Sequence, residues 1–152
     1  MRISKKTEYA LRALTELAMN RDGGNVQAQE LARRERIPIK FLEQILLALR
    51  KGGIIQSRRG AGGGYTLARL PESISVGEVI SLIEGPILLL DCTEDESDTC
   101  SSLEAASCGL REVVGELRAA VKQVLGEVSV ADICDRTEAR RQRQDSVPLY
   151  SI

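Results

Sequence analysis

The sequence predicts a mainly α-helical fold with a small β-wing: a winged helix-turn-helix followed by a long dimerisation helix. Three stretches carry that prediction. From about Gln27 to Lys51, two short runs of helical periodicity are separated by only about three residues, the layout of a helix-turn-helix. From Gly52 to Leu67, two glycines are followed by β-branched Ile54 and Ile55, two arginines, a glycine-rich turn and Tyr65-Thr66-Leu67, which reads as a hairpin set directly after a helix. From Leu110 to Val124, apolar residues step at alternating spacings of four and three.

Taken in order, Ser4 is the expected N-cap of a first helix running to about Asn20, with Ala10, Ala13, Leu14, Leu17 and Ala18 on its inner stripe. Lys5 and Lys6 fall in the first turn, where the helix dipole disfavours cations. A nearby phosphate would give them a purpose; two solvated lysines are the competing reading. Arg21-Asp22-Gly23-Gly24 stops the helix. A short helix from about Gln27 to Glu35 turns Ala28, Leu31 and Ala32 inward. Pro38 suits the first turn of the next helix, where its missing N–H is not needed. Leu42, Ile45, Leu46 and Leu49 form that helix's core stripe, and Lys40, Gln44, Leu47 and Lys51 lie on the opposite face. As the second helix of the pair it is the recognition helix, able to enter a major groove.

Residues Arg58 to Gly64 must form a loop or tight hairpin, and the arginines can reach DNA backbone or minor groove. The spacing Gly60-x-Gly62-x-Gly64 is not a dinucleotide fingerprint, because G-x-G-x-x-G is absent and no helix follows. A hairpin with merely solvated arginines is the competing reading. Pro71 ends the wing. Ser75 to Ile83 reads as an amphipathic helix closed by Gly85-Pro86, and Ile87 to Leu90 is a short apolar run. The long helix then carries a seam at Leu110, Val114, Leu117, Val121 and Val124, widened by Val113, Ala120 and Leu125. A second copy of the chain is the economical partner for it, since two-fold dimers are the commonest oligomers. Packing back on its own chain is the alternative. Ser129 is the expected cap of a last helix with Val130, Ile133 and Cys134, the cysteine reading as core. The tail from about Arg140 lacks periodicity and is expected to be mobile.

The overall charge of −1 hides an asymmetry. Residues 1–70 hold 14 Lys and Arg against 6 Asp and Glu, whereas residues 71–152 hold 7 against 16. A basic first half suits a polyanionic partner, because phosphate neutralisation releases counterions. The acidic half argues against non-specific coating of DNA. Aromatics are 3% of the chain, so the core must be aliphatic. No apolar run is long enough to span a bilayer, and no charged-then-apolar signal segment opens the chain. A cytoplasmic location is therefore expected, with its 4 cysteines reduced and turned to metal or redox use rather than to disulfides. With no histidine and no nucleophile–base pair, an enzyme is not expected.

Asp91 to Cys108 is a different kind of sequence, with three cysteines, six carboxylates and no basic residue. Cys92, Cys100 and Cys108 are separated by seven residues each time, which is neither C-x-x-C nor a zinc-finger spacing. Carboxylates raise a neighbouring thiol's pKa, so these make poor free nucleophiles; a bound metal reverses this by stabilising thiolates. Ser107 is the expected cap of the long helix, which sets the Cys108 sulfur at its positive end and favours a thiolate or an anionic cluster. Thiolates are the usual protein ligands of iron–sulfur clusters. Cluster, zinc site, thiol redox switch and inert loop all remain open from the residues alone.

Several stretches together resemble the IscR/NsrR/CymR family of bacterial dimeric winged-helix regulators: Met1-Arg2-Ile3-Ser4 with Tyr9-Ala10-Leu11, Phe41-Leu42-Glu43-Gln44-Ile45, Leu49-Arg50-Lys51-Gly52-Gly53, Arg59-Gly60-Ala61-Gly62-Gly63-Gly64-Tyr65 and Ser75-Val76-Gly77-Glu78-Val79-Ile80. The likeness runs to about residue 136. It implies a DNA-binding dimer with crossing long helices. Many members carry an iron–sulfur cluster on a three-cysteine loop, and others, of the cysteine-metabolism regulator type, carry none. Cluster-binding members space their cysteines by about five residues, against seven here. The type that adds a histidine three residues after the last cysteine has Arg111 at that position in this chain. The nitric-oxide-sensing type takes a carboxylate from the first helix of the other subunit, and the matching position is Glu8. An ordinary exposed glutamate is the competing reading there.

The expectation is a homodimeric, DNA-binding transcriptional regulator, a repressor or an activator, whose DNA affinity is set by an iron–sulfur cluster (2Fe-2S or 4Fe-4S) sensing redox, nitric oxide or cluster status. Its expected metal ligands are Cys92, Cys100, Cys108 and Glu8. The expected DNA contacts are Lys5, Lys6, Lys40, Gln44, Arg58, Arg59 and Gly60, with Phe41 added by the resemblance. The expected organisation is a DNA-binding domain over 1–70, connecting helix, cysteine loop and dimerisation helices over 71–136, and a tail over 137–152. Double-stranded DNA and a second copy are the expected partners, with no membrane and no small-molecule substrate. The alternative is a cluster-free regulator acting as a thiol redox or metabolite sensor, or through a partner protein.

Overall fold

A computed structural model describes residues 3–86 and 109–145. Six helices and one hairpin follow in chain order: α1 (Lys5–Met19), α2 (Ala28–Glu35), α3 (Ile39–Lys51), β1 (Ile55–Arg58), β2 (Gly64–Leu67), α4 (Val76–Glu84), α5 (Gly109–Glu127) and α6 (Val130–Asp145). Short 3-10 turns at Arg21–Gly23 and Pro71–Ser73 punctuate them. The fold is mainly helical with an antiparallel two-stranded wing, as the sequence predicts.

Local chemistry sets the helix starts. The Ser4 hydroxyl accepts from the Thr7 amide and the Ser75 hydroxyl from the Glu78 amide, satisfying N–H groups that have no intrahelical partner. Ser129 and Asp132 cap α6 reciprocally: the Asp132 amide donates to the Ser129 hydroxyl, and the Ser129 amide donates to the Asp132 carboxylate. The Ser129 hydroxyl, which also donates to the Asp132 carboxylate, and then the Ser129 amide hold that carboxyl below the usual range. Pro38 stands at the N-cap of α3 rather than inside its first turn. Its amide is not needed at either position.

The core stripes fall where helical spacing puts them. Leu42, Ile45, Leu46 and Leu49 of α3 are fully buried against Ala10, Ala13, Leu14 and Leu17 of α1. Each such Leu or Ile contributes about 1.5–3 kcal/mol of burial. This core continues past the wing, because Ile74, Val79 and Val130 belong to it. Cys134 packs at its edge as expected, half-buried, its thiol 3.8 Å from the Thr15 carbonyl and its pKa pushed up by burial.

Two helices depart from the sequence reading. Helix α6 runs on to Asp145, through residues expected to be a mobile tail. Arg, Gln and Glu are good helix formers, and a capped start with a buried first turn at Val130 lets the helix propagate without an apolar stripe. On α5, Val121 and Leu125 pack against Val76 and Ile80 of α4, so part of the widened seam is covered by its own chain. At Gly77 an added Cβ would stand 3.2 Å from the Leu125 carbonyl, so α4 and α5 cross closely there. Among the described residues no helix is long and apolar enough to cross a membrane. The Ile87–Leu90 run and the last seven residues, 146–152, lie outside the described residues.

Candidate nucleic-acid interface and effector loop

On α3 the face opposite the core stripe is open: Lys40, Phe41, Gln44, Leu47 and Lys51 are all exposed. Phe41 does not project freely. Its ring meets Tyr9 of α1 edge to face, with centroids 6.0 Å apart and planes at 87°. The Arg12 guanidinium stands 5.7 Å from the centroid of Tyr9. Arg12 also donates to the Glu35 carboxylate at 3.0 Å and to the Glu35 carbonyl, tying α1 to the end of α2. Three helices thus fix the start of the recognition helix. Arg36 makes the turn between α2 and α3 in the left-handed region, at φ 52°. The sequence reading missed Arg12 and Tyr9, whose partners are 23 and 32 residues away.

The wing is held from two sides. Strand β1 pairs with β2 from Ile55 opposite Leu67 to Arg58 opposite Gly64. Arg58 therefore ends a strand instead of belonging to the loop. Val26 adds a third edge, exchanging hydrogen bonds of 2.9 and 2.8 Å with Tyr65. Gly60 and Gly62 turn the tip at φ 96° and 75°, conformations glycine adopts at little cost. Arg58, Arg59 and Gly60 are exposed at the tip, and neither arginine has an ion-pair partner among the described residues. Unpaired guanidinium groups on a rigid turn are suited to phosphates or a narrow minor groove.

At the start of α1, Lys5 and Glu8 form an ion pair at 2.6 Å, and Arg12 lies 3.7 Å from the same carboxylate. The hydrogen bond from Lys5 holds the Glu8 carboxyl below its usual range, with the Lys5 and Arg12 charges adding. Lys6 has no ion-pair partner among the described residues. Cys92, Cys100 and Cys108, with the capping residue Ser107, lie outside the described residues, so Glu8 is the one proposed ligand whose surroundings are described. Among the described residues no three His, Cys, Asp or Glu side chains are grouped to hold a metal.

The long helix leaves an apolar stripe uncovered. Leu110, Val113, Leu117 and Val124 are 61%, 62%, 54% and 58% exposed, while Val114 and Val121 are half-buried. The free stripe is thus the 110–113–117–124 row, rotated from the predicted seam toward Val113.

A family profile described as "Rrf2: Iron-dependent Transcriptional regulator" matches residues 3–136. The chain belongs to the Rrf2 family. Rrf2-family proteins are DNA-binding transcriptional regulators, and this one is 34% identical over 142 residues to the HTH-type transcriptional regulator CymR of Bacillus subtilis, covering 93% of this chain and 96% of that one. The solved structure of CymR, the global cysteine regulator of B. subtilis, superposes with a TM-score of 0.74 at 33% identity, over 90% of this chain and 98% of that one. T. potens IscR superposes with a TM-score of 0.73 at 30% identity, over 92% and 90%. CymR and IscR, two of the three types named by the resemblance, are thus among the neighbours, and the winged-helix reading of the Rrf2 chain stands.

Proposed function

We propose that this Rrf2 protein binds a pseudo-palindromic duplex as a homodimer, and that an iron–sulfur cluster on Cys92, Cys100 and Cys108 sets its DNA affinity. The observation that carries the reading is the packing of α4 and α5, the helices on either side of the cysteine segment in the sequence: α4 packs on both α1 and α3 while α5 packs on α4. A change in that segment is thus delivered to the helix that presents Lys40, Phe41 and Gln44. The exposed α5 stripe supports dimerisation, since a row of four large apolar residues left in water is unfavourable for a monomer. The unpaired arginines of the wing and the exposed face of α3 support contact with phosphate and base edges.

The donor set fits the cluster. Three thiolates leave one coordination position open, and the chain has no histidine to fill it. Glu8 is anionic at neutral pH, half-exposed and in the first turn of α1, and only exposed ion pairs hold it. A carboxylate is a harder ligand than a thiolate and binds iron less tightly, which makes that corner the labile one. When bound, the cluster supplies a group whose charge and ligation respond to oxidants or nitric oxide. Residues 1–70 would act as the DNA-reading unit and 71–136 as the sensing and dimerising unit. The seven-residue cysteine spacing and the missing histidine favour one second reading, a cluster-free thiol sensor acting through the same helices.

Iron and acid-labile sulfide measured after anaerobic reconstitution test the proposal. Both are expected in stoichiometric amounts in the wild type, lost on replacing Cys92, Cys100 or Cys108 by Ala, and kept in Cys134→Ala. The loaded and cluster-free forms should differ in operator affinity. Neither iron nor sulfide retires the cluster and the role of Glu8 together.

A further inference from the structure

We infer that the groove between α1, the end of α2 and α6 is a binding site for a small amino-acid-like zwitterion that modulates DNA binding. The groove holds about 190 Å³, several times the roughly 30 Å³ share of one water in liquid, and so suits a compact metabolite. It is lined by apolar Leu11, Met19 and Ile133 and by the polar groups of Arg12, Thr15, Glu16, Glu35, Thr137 and Arg141. An apolar lining with a few polar groups is the usual construction of a small-molecule site.

The charges are placed to read both ends of a zwitterion. Glu16 and Glu35 are unusually covered for carboxylates, with side chains 14% and 18% exposed, and each spends one oxygen on an arginine of its own, Arg34 and Arg12 respectively. Each keeps a second carboxylate oxygen beside the groove that can accept from an ammonium group. Arg141 is exposed at the rim and has no ion-pair partner among the described residues, so its planar fork is free for a carboxylate. The Thr15 and Thr137 hydroxyls both donate to carbonyls one turn back, at 2.9 and 2.7 Å, which leaves their oxygens as acceptors.

The same groove is wired to the DNA-reading face. Arg12 and Glu35, which line it, are the pair that ties α1 to the turn before α3, and Arg12 stands over Tyr9, which buttresses Phe41. A ligand that draws on Glu35 therefore competes for the contact that positions the recognition helix. By linkage, operator DNA must change the ligand's affinity by the same factor. The proposal rests on the DNA-binding reading only for this coupling, not for the binding site.

The test is titration of the full-length protein, without DNA, with the proteinogenic amino acids and with their deaminated and decarboxylated analogues, followed by calorimetry. Saturable binding of at least one amino acid is expected, with both analogues weaker. Arg141→Ala, at an exposed position that leaves the fold intact, should weaken it by about tenfold or more, as for loss of a charged hydrogen bond. Met19→Trp, which puts a larger side chain into the groove, should abolish it while the protein still melts cooperatively. No saturable binding by any amino acid overturns the inference, and so does binding that survives both substitutions. A protein that binds the amino acid but not DNA would instead count against the regulator mechanism and leave the site standing.

Discussion

Replacing Gly64 by Ala should detach the wing. Gly64 opens β2 at φ 148°, facing the backbone of Val26. An added Cβ would lie 2.5 Å from the Val26 carbonyl oxygen and 2.6 Å from its carbon. Both atoms are main chain, so no side-chain rotation relieves the overlap. The Val26 edge must move away, which breaks its two hydrogen bonds with Tyr65 at a cost of about 1–3 kcal/mol. Holding alanine at that φ adds about 1–3 kcal/mol. The expected destabilisation is about 2–6 kcal/mol, a large share of a typical domain's stability and worth roughly 4–24 °C in melting temperature. Gly62→Ala is the control, since Gly62 has φ 75° but open space around its Cβ position, so it should lose only about 1–2 kcal/mol. Thermal and urea melts followed by circular dichroism compare the two. Operator affinity should also fall further for Gly64→Ala, because Arg58 and Arg59 are carried by the displaced strand turn. If the two variants melt together, the close approach to Val26 is not what keeps glycine at position 64.

Three further outcomes are expected. Arg59→Ala should weaken specific DNA binding by about 1–3 kcal/mol if the residue reads a groove, or lower the salt slope by about one if it neutralises a phosphate; a salt-controlled titration in which neither changes refutes the wing contact. Leu117→Glu with Val124→Glu should release folded monomers in sedimentation, because both side chains are exposed in the single chain, whereas Val121→Glu should instead cost stability through its contact with Val76 and Ile80. Hydrogen bonds from Arg33 and Arg34 draw the Glu30 carboxyl from 4.5 down to about 2, so its contribution is present above about pH 4.5 and lost as pH falls through about 2. Glu30→Gln should flatten the pH dependence of melting across that window, and an unchanged acid limb contradicts the assignment.

Much of the exposed face of α3 was legible in the chain. Helical spacing alone separates Leu42, Ile45, Leu46 and Leu49 from Lys40, Gln44, Leu47 and Lys51, and the structure buries the first set and exposes the second. Phe41 was different. Its position came from family resemblance, and what steadies it is a ring on another helix. Arg58 was legible as a wing residue but not as the last rung of a strand, because the turn's glycines extend the look of a loop back over it. The ligand set of the cysteine segment remains a proposal, carried by residue chemistry and by the anchoring of α4 and α5.

What the sequence determined by itself is local. Caps at Ser4 and Ser129, the glycine stop after α3, and apolar periods along each helix follow from hydrogen-bond needs and side-chain geometry within a few residues. Only the tertiary structure decided which partner covers each apolar face. Burial is favourable against any apolar surface and carries no direction, so a stripe announces that it will be covered but not by what. On α5 the period gave one seam, and folding divided it: Val121 and Leu125 went to α4, while Leu110, Val113, Leu117 and Val124 stayed open. The same holds for charge. Arg12 reads as one more surface arginine until folding brings Glu35 and Tyr9 to it from two other places in the chain.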